Sequence, residues 1–437
     1  MLREQRRIVG FLAARLAELK LTNVPDPRQR RGKRFALDAM LRLWLAGMAC
    51  GSKGLSEVEG LCRYLPGPLL RTLRLPGRVA DTTQRDLLCR LSWQSLRHLL
   101  HRAVLAAHRR KALGVVGLPF GMVALDGKYV TLPDWSGPFV QRHKSERKSV
   151  PHGLLRTTTA TLVTAPGKPC IDVSPIPKET NELRHFATAF TDLVRVFGHL
   201  FTLVSYDAGA TNKKNGELVC KAGKHYLFRV ADKRWRLYQL AKELLAAKDT
   251  ATTVVEVRED KTEVRRTVRL CSVNDPRVLS FKRKAAIWKH TRTLVRVDVE
   301  TINPGGTRSV DQKIYVSSME PTALSPAQWI WATVGHWAVE TTHQVLDVAF
   351  KEDDRPWIVA DPNGTLNVLI LRRLTYTLLT LYRSVTQRSD EKRRQPWKQL
   401  MGAIYHALIT ATAKVLEGLR RRDHDTPLPT NIYAGVD

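Results

Sequence analysis

Apolar residues recur at helical spacing through the first quarter of the chain. Phe35, Leu37, Met40, Leu41, Trp44 and Leu45 recur at helical spacing. Leu87, Leu88, Leu91, Leu96, Leu99 and Leu100 form a second such series. Pro66-Gly67-Pro68 and Pro76-Gly77 are turn signals between them. Asp81-Thr82-Thr83, ahead of Gln84, reads as a helix start with Asp81 or a Thr as cap. Residues 1–21 are amphipathic and Arg-rich, but Glu4 and Glu18 argue against a transit peptide, so this is a plain first helix. The pattern changes near Leu118-Pro119. Residues 121–131 read as a strand, and 155–164, rich in Thr and Val, as a second. A turn at 165–169 leads to a third strand at 170–175. Residues 181–197 carry Leu183, Phe186, Phe190, Leu193 and Val194 on one helical face. Residues 200–206 are a fourth strand.

Strand, strand, strand, helix, strand allows two antiparallel connections followed by one helical crossover. A right-handed crossover would return the fourth strand parallel to and beside the first. That is the order of an RNase H-like core. A helix at 210–222, a strand at 226–230 and a helix at 235–247 are expected next. The segments 253–257, 264–272, 294–301 and 313–317 are again β-like, and the span is too long and regular for a loop. It reads as a β-rich insertion. Residues 326–350 read as one helix, 366–383 as a strongly apolar helix, 391–394 as a charged linker, 397–419 as a last helix and 423–437 as a loose tail. The expected fold class is α/β: an RNase H-like mixed-sheet catalytic core interrupted by a β-rich insertion and preceded by an all-α N-terminal domain. The expected boundaries are a helical segment at 1–115, the first part of the core at 118–230, the insertion at 231–320, the core's C-terminal helices at 321–385, and a basic helix and tail at 386–437.

Charge narrows the function. Lys+Arg is 71 against Asp+Glu 41, a formal net charge of +30 over 437 residues. A field of that sign favours a polyanion, and nucleic acid is the commonest large one. Six cysteines, Cys50, Cys62, Cys89, Cys170, Cys220 and Cys271, are widely spaced with no Cys-x-x-Cys pair. They read as reduced and mostly buried, in a cytoplasmic protein. No run reaches the roughly 18 apolar residues of a membrane span.

Against that background three acidic residues stand out. Asp126 lies inside the apolar strand Val123-Ala124-Leu125-Asp126, where a carboxylate is costly unless paired or metal-bound. Asp207 follows the apolar run 200–206, although it could also cap a helix. Glu340 lies on a helical stretch where His336, Glu340, His343 and Asp347 share a face by spacing. Two carboxylates on neighbouring strands and one on a covering helix can hold two divalent ions about 4 Å apart, which suits attack on a phosphodiester. Mg²⁺ takes oxygen ligands. Asp126 would bridge both ions, and Asp207 and Glu340 would each complete one. The His-carboxylate face also admits zinc, but His-Glu-x-x-His is absent and no cysteine is near in sequence. His336 and His343 are instead expected to touch DNA phosphates or orient Glu340. Lys128 and the patches Arg142-His143-Lys144, Arg147-Lys148, Lys282-Arg283-Lys284 and Lys392-Arg393-Arg394 would track phosphate backbones. The run 28–34 could do the same or be a solvated loop.

Taken together, Ala124-Leu125-Asp126-Gly127-Lys128, Lys178-Glu179-Thr180-Asn181-Glu182-Leu183, Tyr206-Asp207-Ala208 and His336-Trp337-Ala338-Val339-Glu340 resemble bacterial DDE insertion-sequence transposases. So do His343, Leu346-Asp347-Val348-Ala349-Phe350 and Glu352-Asp353. The similarity is to the insertion-sequence-four-like group, which has a β-rich insertion before the catalytic Glu, and it covers roughly residues 30–380. The resemblance implies that Asp126, Asp207 and Glu340 form the DDE catalytic and metal-binding triad, with Mg²⁺ as cofactor and Mn²⁺ as substitute. It implies hydrolytic nicking at element ends, then strand transfer by a 3′-hydroxyl, on double-stranded DNA held by a dimer in a bacterial, nucleoid-associated setting. Trp288 is a candidate for gripping a flipped base, by position, and a core tryptophan otherwise. Many relatives carry Tyr, Arg, Glu and Lys around the catalytic Glu. Here those flanking positions are Thr333, His336 and Asp347, which puts a hairpin route in doubt without touching the metal chemistry. Two alternatives stand beside the active transposase: a catalytically retired or domesticated relative that only binds DNA, and a metal-dependent nuclease or resolvase.

Overall fold

The structure is a computed structural model. It describes residues 2–423 apart from 30, 32, 134–136, 145–150, 234, 247–250, 259, 279 and 355. Arg147 and Lys148, and the tail from 424 onward, lie outside the described residues.

In chain order the helices and strands are α1 (Leu2–Glu18), α2 (Leu37–Ala49), α3 (Leu55–Tyr64), α4 (Gly67–Leu73), α5 (Asp81–Arg90), α6 (Trp93–Arg109), β1 (Met122–Leu132), β2 (Val140–His143), β3 (His152–Leu162), β4 (Cys170–Pro175), α7 (Glu182–Phe197), β5 (Leu203–Tyr206), α8 (Lys213–Lys221), β6 (His225–Val230) and α9 (Arg236–Leu244). Then come β7 (Thr252–Val257), β8 (Glu263–Ser272), α10 (Phe281–Lys284), β9 (Thr293–Ile302), β10 (Arg308–Ser317), α11 (Pro326–Gly335), α12 (Ala338–Val348), α13 (Pro362–Leu381), α14 (Asp390–Arg394), α15 (Trp397–Ile409) and α16 (Ala413–Asp423).

These elements divide into two compact units. One comprises residues 1–103, 349–382 and 388–437. It is helical, and α13 is its centre: almost every residue of this helix is buried, as expected of a helix apolar on all sides. Asp361 caps its N-terminus through Gly364 N–H, and α2 and α5 pack on it. Polar side chains are bound within this core. Trp44 Nε1 donates to Gln84 Oε1 at 3.1 Å, and Asn367 donates to the carbonyls of Leu88 and Leu91. Arg373 and Glu352 form a two-pronged ion pair at 2.9 and 3.2 Å with no solvent exposure on either side chain.

The other unit, residues 104–348 and 383–387, is built on one mixed ten-stranded sheet. Its order is β2-β3-β1-β5-β6-β10-β9-β8-β7, with β4 also paired to β3. β1 runs antiparallel to β3 and parallel to β5, and β5 is parallel to β6. The α7 crossover makes the parallel return possible. Asn181 caps α7 by accepting from Arg184 N–H at 3.0 Å, and Phe186, Phe190, Leu193 and Phe197 bury one stripe of it. The strands expected as an insertion, β7 to β10, do not form a separate sheet. β10 pairs antiparallel with β6, so they extend the same sheet.

α11 and α12 cover one face, where Trp329, Ile330, Ala338 and Val339 pack with Met122, Ala124, Leu203, Leu227 and Val295. The single helix expected over 326–350 is broken after Gly335. A Cβ there would lie 2.9 Å from Val163 Cγ1, so the chain passes too close to the sheet for a side chain at the break. The helix expected over 397–419 likewise breaks, at Thr410 to Thr412. The charged linker at 391–394 is instead the short helix α14, capped by Ser389.

Candidate active site

The parallel pairing of β1 with β5 aligns Leu125 with Tyr206. Continued one step, that register sets Asp126 beside Asp207, at the point where β5 ends. Ligands of open α/β sheets gather at such strand ends. Asp207 precedes a 3₁₀ turn, Ala208–Ala210, but its side chain caps nothing there. It turns instead to Arg229 of β6, with Nη1 3.2 Å from Oδ1. Asp126 accepts from Gly127 N–H at 2.9 Å, and its other oxygen lies 3.3 Å from His343 Nδ1 of α12.

Glu340 stands in the first turn of α12, where a negative charge is favoured by the helix dipole. Its carboxyl is raised above the ordinary glutamate value. Partial burial is the largest cause, followed by repulsion from Asp126 and Asp207, with Lys313 and Arg229 opposing. This residue, 133 positions beyond Asp207 in the chain, therefore feels both aspartates.

The helical face inferred around Glu340 is only partly continuous. His336 closes α11 rather than lying on α12. It is buried, its Nδ1 is 3.0 Å from Ser205 Oγ of β5, and its Nε2 has no partner. Burial lowers its pKa. His343 is buried against Asp126, its Nε2 also unpartnered. Asp347 receives Lys128 Nζ at 2.5 Å, so the ammonium of Lys128 is turned inward, with 8% of its side chain exposed.

Successive residues of a strand face opposite sides of the sheet. Asp126 and Lys128 meet α12, so Gly127 and Tyr206 look toward α7. There lies a residue that sequence reasoning left without a role, Glu182. Its Oε1 accepts from Tyr206 Oη at 2.6 Å. A Cβ on Gly127 would lie 2.5 Å from Glu182 Oε2, and one on Gly209 would be 3.7 Å from that carboxylate. Burial raises the Glu182 carboxyl, and Asp126 and Asp207 add to the rise. Burial, with Glu182 next, likewise raises the Tyr206 phenol. Thr180-Asn181-Glu182 was visible as a motif, but nothing in it located the carboxylate beneath the other two.

The remaining candidates for DNA contact are scattered. Arg142 is exposed on the edge strand β2, and Lys144 is exposed just beyond it. Trp288 is half-buried, its ring 6.3 Å from both Tyr226 and Trp235. Among the described residues, no group of three or more His, Cys, Asp or Glu side chains is placed to hold a metal ion. Asp126 is turned to His343, and Asp207 to Arg229. No described helix is long and apolar enough to cross a membrane.

Residues 19–103 match the family model described as DDE_Tnp_1-associated. That match supports a DDE-type DNA transposase in general terms. No curated protein matches the chain in sequence. Among solved structures, a piggyBac transposase synaptic complex with hairpin DNA is similar at 11% identity and a TM-score of 0.38, over 99% of this chain and 87% of that one. A likeness that distant carries no conclusion.

Proposed function

We propose that this chain is a DDE transposase that cleaves DNA at the ends of a bacterial insertion sequence and joins them to target DNA. The observation that carries the reading is the β1–β5 register, which sets Asp126 beside Asp207 at one strand end, next to α12, the helix that meets Asp126 through His343 and carries Glu340. The strand order β4-β3-β1-β5-β6, with α7 as crossover, supports an RNase H-like core. The segment boundaries at 115, 118–230, 231–320, 321–385 and 386–437 belong to the same proposal.

The donor set fits a hard divalent cation, Mg²⁺ or Mn²⁺. The three proposed ligands are carboxylates, and their mutual repulsion is what a cation would relieve. Asp126, Asp207 and Glu340 would hold the metal, in place of the contacts Asp126 makes with His343 and Asp207 with Arg229. When bound, a divalent cation would supply Lewis-acid activation of water and charge neutralisation at the phosphodiester. His343 would keep Asp126 oriented until loading, and Arg229, whose side chain is partly exposed, would leave positive charge for a phosphate. Double-stranded DNA is the proposed partner, with Arg142, Lys144, Lys148 and the N-terminal helices as contacts and a dimer joining two ends.

The test is a plasmid carrying the gene's native flanks, incubated with purified protein and Mg²⁺ beside Asp126→Asn. Boundary cleavage and joining by the wild type alone is the expected result. Flank binding without cleavage would replace this reading with a DNA-binding relative that has lost catalysis. Cleavage without end specificity or joining would replace it with a nuclease.

A further inference from the structure

Glu182 belongs to neither the proposed triad nor the fold's apolar stripe. It opens α7, on the face of the sheet opposite α12, yet it reaches both strands that carry the aspartates. The Tyr206 hydroxyl, from the residue before Asp207, donates to it at 2.6 Å. Gly127, the residue after Asp126, leaves the space that its carboxylate fills, since any Cβ there would come within 2.5 Å of Oε2. Gly209, two residues after Asp207, faces the same carboxylate. Tyr206 is itself fixed: 1% exposed, with its ring 5.4 Å from Phe186 in an edge-on contact. A carboxylate partly buried near two others is costly unless hydrogen bonds or a cation offset its charge. A second feature points to the same place from the other face. The buried Nε2 atoms of His336 and His343 lack partners; His336 bonds Ser205, two residues before Asp207, and His343 meets Asp126 itself.

We propose that Glu182 is a positioning residue of the metal-binding site: it ties the Asp126-Gly127 and Tyr206-Asp207 segments together from beneath, and its negative charge strengthens their hold on a divalent cation. The inference rests on the reading of Asp126, Asp207 and Glu340 as metal ligands. Through Tyr206 it fixes where Asp207 leaves β5, and through Gly127 it fixes the strand just beyond Asp126. Partners one layer out from a metal's ligands commonly change its affinity by roughly 10–100-fold.

The experiment is Mn²⁺ titration of the full-length, DNA-free protein by calorimetry and by the electron paramagnetic resonance signal of free Mn²⁺. Wild type, Glu182→Gln, Tyr206→Phe and Asp126→Asn are compared, with thermal melts of each. Gln keeps an oxygen for the Tyr206 hydroxyl and nearly the same volume, so Glu182→Gln should melt no lower than the wild type. It should bind Mn²⁺ about tenfold or more weakly. Tyr206→Phe, which keeps the charge and loses the tie, should show a smaller loss. Wild-type affinity in Glu182→Gln, while Asp126→Asn is impaired, would overturn the role of Glu182. No Mn²⁺ binding by the wild type, or binding untouched by Asp126→Asn, would instead remove the metal-site reading on which it rests. Should Glu182→Gln melt low, Gly127→Ala provides the second arm. It pushes the carboxylate aside without altering its charge, and unchanged Mn²⁺ affinity there would also overturn the proposal.

Discussion

At the scale of single residues, the site is a set of negative charges held near one another by different elements. Asp126 and Asp207 each lean on a neighbour, His343 and Arg229, while Glu340 carries the repulsion as a raised pKa. A carboxyl whose folded pKa lies above its unfolded value keeps its proton longer in the folded state. Between those two values the folded protein therefore binds more protons, and stability falls as pH rises through the window. For Glu340 that window opens at its ordinary value of 4.5 and extends upward. The metal-free Glu340→Gln variant should thus melt above the wild type at pH 7, and the gap should close as pH falls toward 4.5, which a pH series of thermal melts would read. Mg²⁺ should raise the wild-type midpoint more than that of the variant. Asp126→Asn should lower DNA cleavage by roughly a thousandfold or more in a single-turnover assay, because it removes charge where both ions are proposed to sit.

At the scale of elements, the β1–β5 register and the break between α11 and α12 decide where these residues meet. The break allows His336 to point into the sheet beneath α12 while Glu340 stays at its rim. Gly335 allows that approach. Gly335→Val should cost about 1–3 kcal/mol through overpacking against Val163, measured by denaturant unfolding. It should also lower cleavage by more than the stability loss accounts for, because it moves the start of α12. In the helical unit, Glu352 and Arg373 are a pair without solvent access. Glu352→Gln removes the anion facing the buried Arg373 guanidinium, so unfolding should become easier by roughly 3–5 kcal/mol. An unchanged midpoint would mean that the pair contributes nothing net.

At the scale of the whole molecule, a net charge of +30 sets how the protein meets a polyanion. DNA binding should weaken steeply with salt, with a log–log slope near −0.9 for each phosphate neutralised. Lys144→Ala should reduce that slope by about one if the exposed end of β2 lies on the backbone, read by fluorescence anisotropy at several salt concentrations. The sheet continues through β10, β9, β8 and β7, so the segment between Asp207 and Glu340 is an extension of the scaffold. It also supplies Lys313, one of the cations acting on Glu340.

The local part of this organisation was legible in the chain. Phe186, Phe190 and Leu193 repeat at the helical period, and Val123-Ala124-Leu125 can only be a buried strand or a buried turn of helix; both signals follow from how side chains alternate around a backbone. The carboxylate in the apolar run at 123–126 was conspicuous for the same reason, since burial penalises it. Tertiary pairing decided the rest. No period in the sequence says that β10 joins β6, that Lys128 turns inward to Asp347, or that Gly127 makes room for a glutamate 55 positions away. Those outcomes depend on strand register and on which helix covers which face. They are settled by contacts between segments far apart in the chain, whose distance from one another is invisible until the sheet has formed.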